Sequence, residues 1–317
     1  MSKTEGERVR RLATATADFP ILDMRQRLLD WYEVNRRDLP WRGKTDPYAI
    51  LVSEVMLQQT GVNRVVQAYE RFLTQFPTFQ RLAGAPRLEV LRAWAGLGYN
   101  RRAVHLHQCA QIVVREHDGR LPDDPVALRR IPGIGPYTVA AILSFAFHRD
   151  VPTIDTNVRR VIGRIAFGRP VADRDLRDAA GLLFPPGRSS DWNQALMDFG
   201  SSLCTASNPR CRSCPMLDLC AAALHGAQVE ARPAKKVAER PEPYLGSRRF
   251  YRGKIVAQLR NLAPGVALSA EELLCELKAN WTAEDIHWVE QLAEALADEG
   301  LARVLRSDGQ FRVAAPG

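Results

Sequence analysis

The stretch LRRIPGIGPYT at residues 128–138 joins two segments whose apolar residues recur at helical spacing. Gly133 and Gly135 are expected to take backbone angles barred to other residues, which would turn main-chain N–H groups outward. A helix that begins near Pro136 adds the positive end of its dipole. Such a hairpin binds a nucleic-acid phosphate without reading sequence. A plain glycine turn is the alternative, and Pro132 with the basic surroundings favours the phosphate-binding hairpin.

The sequence around the hairpin predicts a nearly all-helical region over residues 21–224. Apolar residues recur three and four positions apart, and Gly and Pro separate the helical segments. Within this region we predict a six-helix subdomain at 47–146, which contains the hairpin, and a second subdomain made of 21–46 and 147–224. Residues 1–20 are predicted to be a flexible N-terminal segment.

A polar, proline-bearing linker is predicted at residues 225–247. Residues 248–313 then contain three helix-like stretches, at 249–262, 269–279 and 282–299. A hairpin follows, with Asp308-Gly309 at its turn. Three helices and a hairpin predict a small winged-helix-like module.

Charge is unevenly distributed along the 317 residues, whose net charge is +8. From Arg248 onward, nine Lys/Arg and ten Asp/Glu give −1, so residues 1–247 carry +9. This asymmetry indicates nucleic-acid binding by the basic part, although a merely soluble basic surface would account for the charge equally well. The sequence shows neither a secretory signal nor an apolar run of about 18 residues. We therefore expect no membrane contact and a cytoplasmic, nucleoid-associated location with reduced thiols.

Four cysteines within 17 residues follow the spacing C-x6-C-x2-C-x5-C: Cys204, Cys211, Cys214 and Cys220. Soft thiolate ligands select iron–sulfur clusters or zinc, and metal chemistry alone leaves both open. Arg210 and Arg212 flank the second cysteine, where a rigid loop would present them to phosphates. Cys109 and Cys275 stand alone at apolar-face positions and are predicted to be buried core residues.

Five further segments complete a resemblance to a known family: RDLPWR (37–42), SEVMLQQT (53–60), GLGYN (96–100), IDTNVRR (154–160) and NQALMD (193–198). Together with the hairpin and the cysteines, they resemble the MutY-type adenine DNA glycosylases of the endonuclease III superfamily over residues 21–220. The resemblance implies a mainly α, two-subdomain helix-hairpin-helix glycosylase fold with a [4Fe–4S] cluster loop. It also implies double-stranded DNA with a mismatched or damaged base pair as the partner, and we expect a monomer.

The resemblance assigns the chemistry to two carboxylates. Cleaving an N-glycosidic bond needs an acid to protonate the leaving purine and an anion to face the cationic sugar. Glu54 stands at the family's position for the acid, where apolar neighbours would help it to hold a proton. Asp155, two residues before Asn157, stands at the position of the anion. Without the family, Glu54 would be an ordinary surface acid and Asp155 a helix N-cap.

Tyr137 stands where bifunctional relatives carry the lysine that forms a Schiff base with the sugar. A phenol cannot do this, so the resemblance implies hydrolysis by water without efficient strand cleavage. The base must leave the stack to be cleaved. The residues that would line its pocket are Arg37, Trp41, Arg42, Leu57 and Gln194, and those that would wedge the duplex are Gln59 and Tyr99. Core packing is the alternative for Trp41 and Leu57, and a solvated or phosphate-bound surface is the alternative for the two arginines.

The C-terminal module departs from the family pattern. Typical members end in a sheet-rich, nudix-like domain that recognises 8-oxoguanine, and the module here is too short and too helical to be that domain. Asn100 also replaces a second tyrosine, and Thr156 replaces a glycine. The predicted reaction is release of adenine mispaired with 8-oxoguanine or guanine. The alternatives are a thymine or uracil mismatch glycosylase on the same scaffold and a non-catalytic iron–sulfur DNA-binding protein; Glu54 and Asp155 argue against the latter.

Overall fold

The computed structural model describes residues 20–224, 243–307 and 309–317. The described part is mainly helical with a small antiparallel sheet, which confirms the predicted fold class. It divides into two compact units, each built from two stretches of chain: 20–50 with 135–224, and 51–134 with 243–317. No helix among the described residues is long and apolar enough to cross a membrane. The predicted N-terminal segment 1–19 and linker residues 225–242 lie outside the described residues.

Twelve helices precede the C-terminal module in the described ranges: α1 (Ile21–Asn35), α2 (Pro47–Leu57), α3 (Val62–Gln75), α4 (Phe79–Ala83), α5 (Arg87–Ala93), α6 (Arg101–Glu116), α7 (Pro125–Arg130), α8 (Pro136–Phe145), α9 (Thr156–Phe167), α10 (Asp173–Leu183), α11 (Ser189–Ser202) and α12 (Ala221–Leu224). Side-chain caps fix several starts. Thr78 and Asp124 accept hydrogen bonds from the first turns of α4 and α7. Gly168, at φ +68°, ends α9 in the left-handed conformation that glycine favours.

The core of the first unit lies between α1, α9 and α11. Leu28 of α1, Val161 of α9 and Phe199 of α11 are fully buried there. Helix α8 joins this unit because its Ser144 hydroxyl shares a 2.8 Å hydrogen bond with Ser189 of α11. The contacts therefore group α8 with α11, whereas the sequence prediction places α8 in the 47–146 subdomain.

The predicted hairpin lies between α7 and α8. Gly133 has φ +83°, and a Cβ added there would stand 3.0 Å from the Cβ of His105, so glycine is required as expected. The expectation for Gly135 is wrong: its φ is −83°, and nothing lies within 4 Å of an added Cβ. The chain enters α8 at Gly135 through an ordinary extended N-cap, which other residues also adopt.

The C-terminal module contains α13 (Arg248–Asn261), β1 (Ala267–Ser269), α14 (Ala270–Leu277), α15 (Ala283–Asp298), β2 (Arg303–Ser307) and β3 (Gln310–Ala314). The sheet order is β1-β3-β2, antiparallel throughout, with Leu268 and Val304 both opposite Val313. This order of helices and strands confirms the winged-helix-like prediction. Strand β1 was not predicted, since three residues are too few to show alternation. The predicted turn residue Asp308 lies outside the described residues.

One core prediction is confirmed and its companion is wrong. Cys109 on α6 is fully buried, but Cys275 on α14 is exposed. Helix α14 turns Leu273, Leu274 and Leu277 into the core of the module. Cys275 lies two residues after Leu273 and two before Leu277, and helical residues two positions apart do not face the same side, so it points away from that apolar stripe.

Candidate active site and metal centre

Glu54 lies in α2, a helix whose residues from Tyr48 to Met56 are buried. Its side chain is only 7% exposed. The residues on either side, Ser53 and Val55, are also buried. Glu54 is therefore a buried residue of α2 and not an ordinary surface acid.

Asp155 is the N-cap of α9, as the residues alone allowed. Its Oδ1 accepts a hydrogen bond from the Val158 amide at 2.7 Å, and its Oδ2 accepts one from the Asn157 side-chain amide at 3.0 Å. Both carboxylate oxygens are thus held, and the helix N-terminus favours their negative charge. The cap does not compete with a role in catalysis, because it fixes where the anion points.

Arg160 extends this network toward the cysteines. It donates to Asn157 Oδ1 at 2.8 Å, to the Gly200 carbonyl at 2.6 Å and to the Cys204 carbonyl at 2.8 Å. A continuous path of hydrogen bonds therefore links the Asp155 carboxylate to the first cysteine of the quartet. Arg160 is the last residue of the segment IDTNVRR (154–160), but the sequence alone did not indicate this role.

Gly200 makes room for Asn157. A Cβ added at Gly200 would lie 2.7 Å from the Asn157 Cβ and 3.2 Å from Val161 Cγ2. Helices α9 and α11 therefore approach most closely beside the residue that orients Asp155. The sequence analysis missed Gly200, since a single glycine within an otherwise helical pattern carries no local signal of its partner.

All four cysteines of the quartet line one small cavity, together with apolar residues such as Phe199 and Leu217. Arg164 donates to the Cys204 sulfur at 3.5 Å and to the Thr205 carbonyl at 2.7 Å. The Met216 amide donates to the Cys214 sulfur at 3.4 Å. Donors of this kind stabilise metal-bound thiolates, so the donor set fits a thiolate-ligated centre.

Burial raises the pKa of the Cys214 thiol to about 11. A thiol in such surroundings becomes a thiolate only when a cation compensates the charge, as a bound metal does. Among the described residues, no three His, Cys, Asp or Glu side chains form a closed metal-binding group. Arg210 and Arg212, predicted to contact phosphate, are both exposed beside Cys211.

Several predicted pocket residues of the first unit gather around a carboxylate that the sequence analysis did not single out. Asp198 is 1% exposed and pairs with Arg37 and Arg42, each at 2.7 Å to its Oδ1. Gln194 Oε1 accepts the Tyr32 hydroxyl at 2.8 Å, and the Arg42 guanidinium lies 5.7 Å from the Tyr32 ring centre. The solvated-surface alternative is therefore wrong for Arg42, whose side chain is 13% exposed.

The remaining predicted residues are placed as follows. Leu57 ends α2 and is half-buried in the second unit. Trp41 is half-buried in the turn before α2, and Tyr137 is half-buried in the first turn of α8.

The two predicted wedge residues, Gln59 and Tyr99, share an uncommon backbone geometry. Gln59 has φ +56° and Tyr99 has φ +46°, both in the left-handed region that non-glycine residues rarely occupy. Tyr99 is also 54% exposed, which is high for a large aromatic residue. Strained backbone of this kind is concentrated at functional sites.

Arg102 of α6 holds the two wedge loops together. It is 9% exposed and donates to the carbonyls of Val55 at 2.7 Å and Met56 at 2.9 Å, and also to that of Gln58. Its other terminal nitrogen donates to the Gly98 carbonyl at 3.1 Å. The loops that carry Gln59 and Tyr99 are thereby fixed to one guanidinium group.

Residues 52–186 match the family model of the HhH-GPD superfamily base excision DNA repair proteins. The hairpin between α7 and α8 and the N-cap Asp155 lie within the matched residues. An adenine DNA glycosylase of Mycolicibacterium smegmatis is 40% identical over 294 residues, which cover 92% of this chain and 96% of the relative. The chain therefore belongs to the adenine DNA glycosylase family.

Solved structures of related proteins have a similar fold. A thermostable thymine-DNA glycosylase is similar with a TM-score of 0.60 and 32% identity, over 63% of this chain and 94% of that chain. An endonuclease III in a trapped covalent complex with DNA has a TM-score of 0.57 at 22% identity, over 65% of this chain and 98% of that chain, and shares the fold. Because it covers 92% of this chain, the match to the mycobacterial relative reaches into the C-terminal module.

Proposed function

We propose that this chain is a monofunctional DNA glycosylase of base excision repair that releases adenine mispaired with 8-oxoguanine or guanine. The observation that carries the proposal is the doubly held Asp155 carboxylate at the N-terminus of α9, in a chain of the adenine DNA glycosylase family. We place the protein at the nucleoid, in the cytoplasm, acting as a monomer on double-stranded DNA.

The two carboxyl groups divide the reaction between them. Buried Glu54 donates a proton to the departing adenine, which lowers the barrier to breaking the N-glycosidic bond. The Asp155 carboxylate stabilises the positive charge that develops on the deoxyribose. Water then adds to the sugar and leaves an abasic site. Tyr137 supplies no amine, so the strand stays intact after the base leaves.

The Asp198 cluster gives the extrahelical base a fixed set of polar partners. Because Asp198 binds both Arg37 and Arg42, these side chains are ordered before substrate arrives. The Gln194 amide is oriented by Tyr32 and by Ser190, to which its Nε2 donates at 3.0 Å. Amide and guanidinium groups match the donor and acceptor edge of a purine.

We further propose that Cys204, Cys211, Cys214 and Cys220 hold a [4Fe–4S] cluster. When bound, the cluster fixes the fold of the loop that carries Arg210 and Arg212. Support comes from the shared cavity and from the N–H donors to sulfur. Iron, sulfide and zinc analysis of the purified protein should find about four irons and four sulfides per chain, and one zinc without iron would contradict the proposal.

The glycosylase proposal is tested with duplexes that carry A:8-oxoguanine, A:G, T:G and U:G pairs. Treatment with hot alkali after incubation should reveal cleavage at the adenine of the first two and none without alkali. The Glu54→Gln protein serves as the control, because its amide keeps the shape but supplies no acidic proton. Release of thymine or uracil instead would favour the thymine-DNA glycosylase reading that the 32% identity suggests. No release from any duplex would contradict both.

A further inference from the structure

A cleft of about 740 Å³ lies within the second unit, between the wedge loops and the C-terminal module. Gln59 and Tyr99 line one wall, and Tyr244, Arg249 and Arg252 line the other. A cleft of this size accommodates a nucleotide or a drug-sized ligand.

The module is attached firmly enough to keep the walls of the cleft in place. Arg92 of α5 donates to the carbonyl of Arg260, in the last turn of α13, at 2.7 Å. It also donates to the carbonyl of Leu262, directly after the helix, at 2.8 Å. The Arg87 amide donates to the Gly317 carbonyl at 3.3 Å. Gly300, at φ +71°, allows Arg87 to approach so closely that an added Cβ would stand 2.8 Å from its Nη1.

The cleft is strongly cationic. Five arginines and one glutamate are among its lining residues. Glu299 is already neutralised by Arg252 at 2.6 Å, and Arg102 is committed to the wedge loops. The other three arginines of the cleft are exposed: Arg64, Arg101 and Arg249. None of them forms an ion pair with another described residue. His105 adds no charge at neutral pH, since burial and then Arg101 lower its pKa.

Three arginines around one cleft indicate an anionic ligand, and the guanidinium fork matches the oxygens of a phosphate. The ligand is DNA rather than a free metabolite because the same cleft presents Gln59 and Tyr99. These residues occupy left-handed conformations and belong to the segments 53–60 and 96–100 that the sequence analysis singled out.

We propose that this cleft binds a phosphodiester of the DNA backbone beside the wedge residues, with Arg64 from α3 and Arg249 from α13 as its principal ligands. The winged-helix-like module therefore takes part in DNA binding through the start of α13, despite its net charge of −1. The pair of strands β2 and β3 is less available for this contact, because its Arg306 pairs with Glu294. This inference rests on the proposed function only in taking DNA as the ligand.

The test measures binding of the full-length protein to a fluorescently labelled, fully paired duplex between about 50 and 200 mM salt. A paired duplex offers no base to excise, so the result does not depend on glycosylase activity. The variants are Arg249→Gln and Arg64→Gln. Arg248→Gln is the matched control, because Arg248 is exposed, adjacent on the same helix and absent from the lining of the cleft.

Each cleft variant should lower the slope of log Kd against log salt by about 0.9 and weaken binding about fivefold to tenfold at 0.1 M salt. The Arg248→Gln protein should keep the wild-type slope. Equal losses in the Arg248 and Arg249 variants would overturn the proposal, since charge alone would then explain them. Unchanged slopes in both cleft variants would overturn it as well, whether or not the wild-type protein releases adenine in the alkali assay.

Discussion

Arg160 illustrates how a residue outside the reacting atoms can set the geometry of one that reacts. Its guanidinium group binds the Asn157 side chain and the carbonyls of Gly200 and Cys204. Asn157 in turn holds one oxygen of Asp155. The position of the anion therefore depends on a planar fork that bridges two helices and the cysteine loop.

Replacing Arg160 by lysine should show whether its positive charge or the hydrogen-bond geometry of its guanidinium group is what positions Asp155. The Arg160→Lys protein keeps the positive charge but cannot make the divergent hydrogen bonds of the fork. We expect the single-turnover rate on an A:G duplex to fall about tenfold to a hundredfold, because a small misplacement of a catalytic group costs this much. Duplex affinity should change little. Arg159→Lys is the control, since Arg159 pairs only with the exposed Asp173; an equal loss in that variant would remove Arg160 from this role.

A methyl group at position 200 should disturb the same network by steric means. The Gly200→Ala Cβ would stand 2.7 Å from the Asn157 Cβ, so α9 or α11 must shift. Overpacking of this kind costs about 1–3 kcal/mol. Urea denaturation should show this loss, and single-turnover assays should show slower base release. Gly181→Ala is the matched control on α10, where nothing lies within 4 Å of an added Cβ; it should be as stable as the wild type or more so.

At the scale of secondary-structure elements, Arg102 connects the end of α2 to the loop before α6. It donates to the carbonyl groups of Val55 and Met56 in buried hydrogen bonds, and to those of Gln58 and Gly98 in partly buried ones. The wedge that we propose must keep its shape while it enters a duplex. The two left-handed residues gain that rigidity from a buried cation and not from a regular helix or strand.

The Arg102→Met variant should test this role. Methionine fills part of the volume but leaves several buried carbonyl groups without donors, each costing about 1–3 kcal/mol. We expect the free energy of unfolding in urea to fall by at least about 2 kcal/mol. The Arg115→Met control removes only the exposed pair with Glu116 on the same helix, worth about 0–1 kcal/mol. Similar stability of the two variants would contradict the proposed role of Arg102 in holding the two loops together.

The sequence predicted local features well and distant pairings poorly, for a physical reason. The helices, the cysteine quartet and the three helices of the module follow from spacings within one segment. Asp198, by contrast, pairs with Arg37 across 161 residues, and Arg102 reaches Val55 across 47. The residues next to Asp198 in the sequence give no indication of the arginines with which it pairs. The Gly135 error is of the same kind, because the pattern located the hairpin but not the backbone angles at each glycine.

On the scale of the whole molecule, we propose that the module is an accessory to the chemical step. Glu54, Asp155 and Tyr137 all lie outside residues 248–313. Its α13 instead forms one wall of the cationic cleft. The neutral overall charge of the module therefore hides a local cationic surface, and the distribution of charge matters more than its sum.

Truncation after Gly246 should separate binding from chemistry. We expect the single-turnover rate on an A:G duplex at saturating enzyme to stay within about tenfold of the wild-type rate, because the reacting groups remain. The Kd for DNA should rise, since Arg249 is lost. Circular dichroism melts and iron analysis should establish that the fragment is folded and loaded. A hundredfold or greater loss at saturation in a folded fragment would show that the module shapes the active site.

The interleaving of the two units along the chain has a consequence for folding during synthesis. Helix α1 finds its partners α9 and α11 only after residues 51–134, which belong to the other unit, have been synthesised. At roughly 5–20 residues per second, a ribosome needs about 4–17 s for that segment. Throughout this interval the apolar stripe of α1, with Met24 and Leu28, has no native surface to cover it. The nascent chain therefore carries this apolar stripe uncovered during synthesis, and mutations that slow the closure of the first unit should lower yield in the cell more than they lower stability in the test tube.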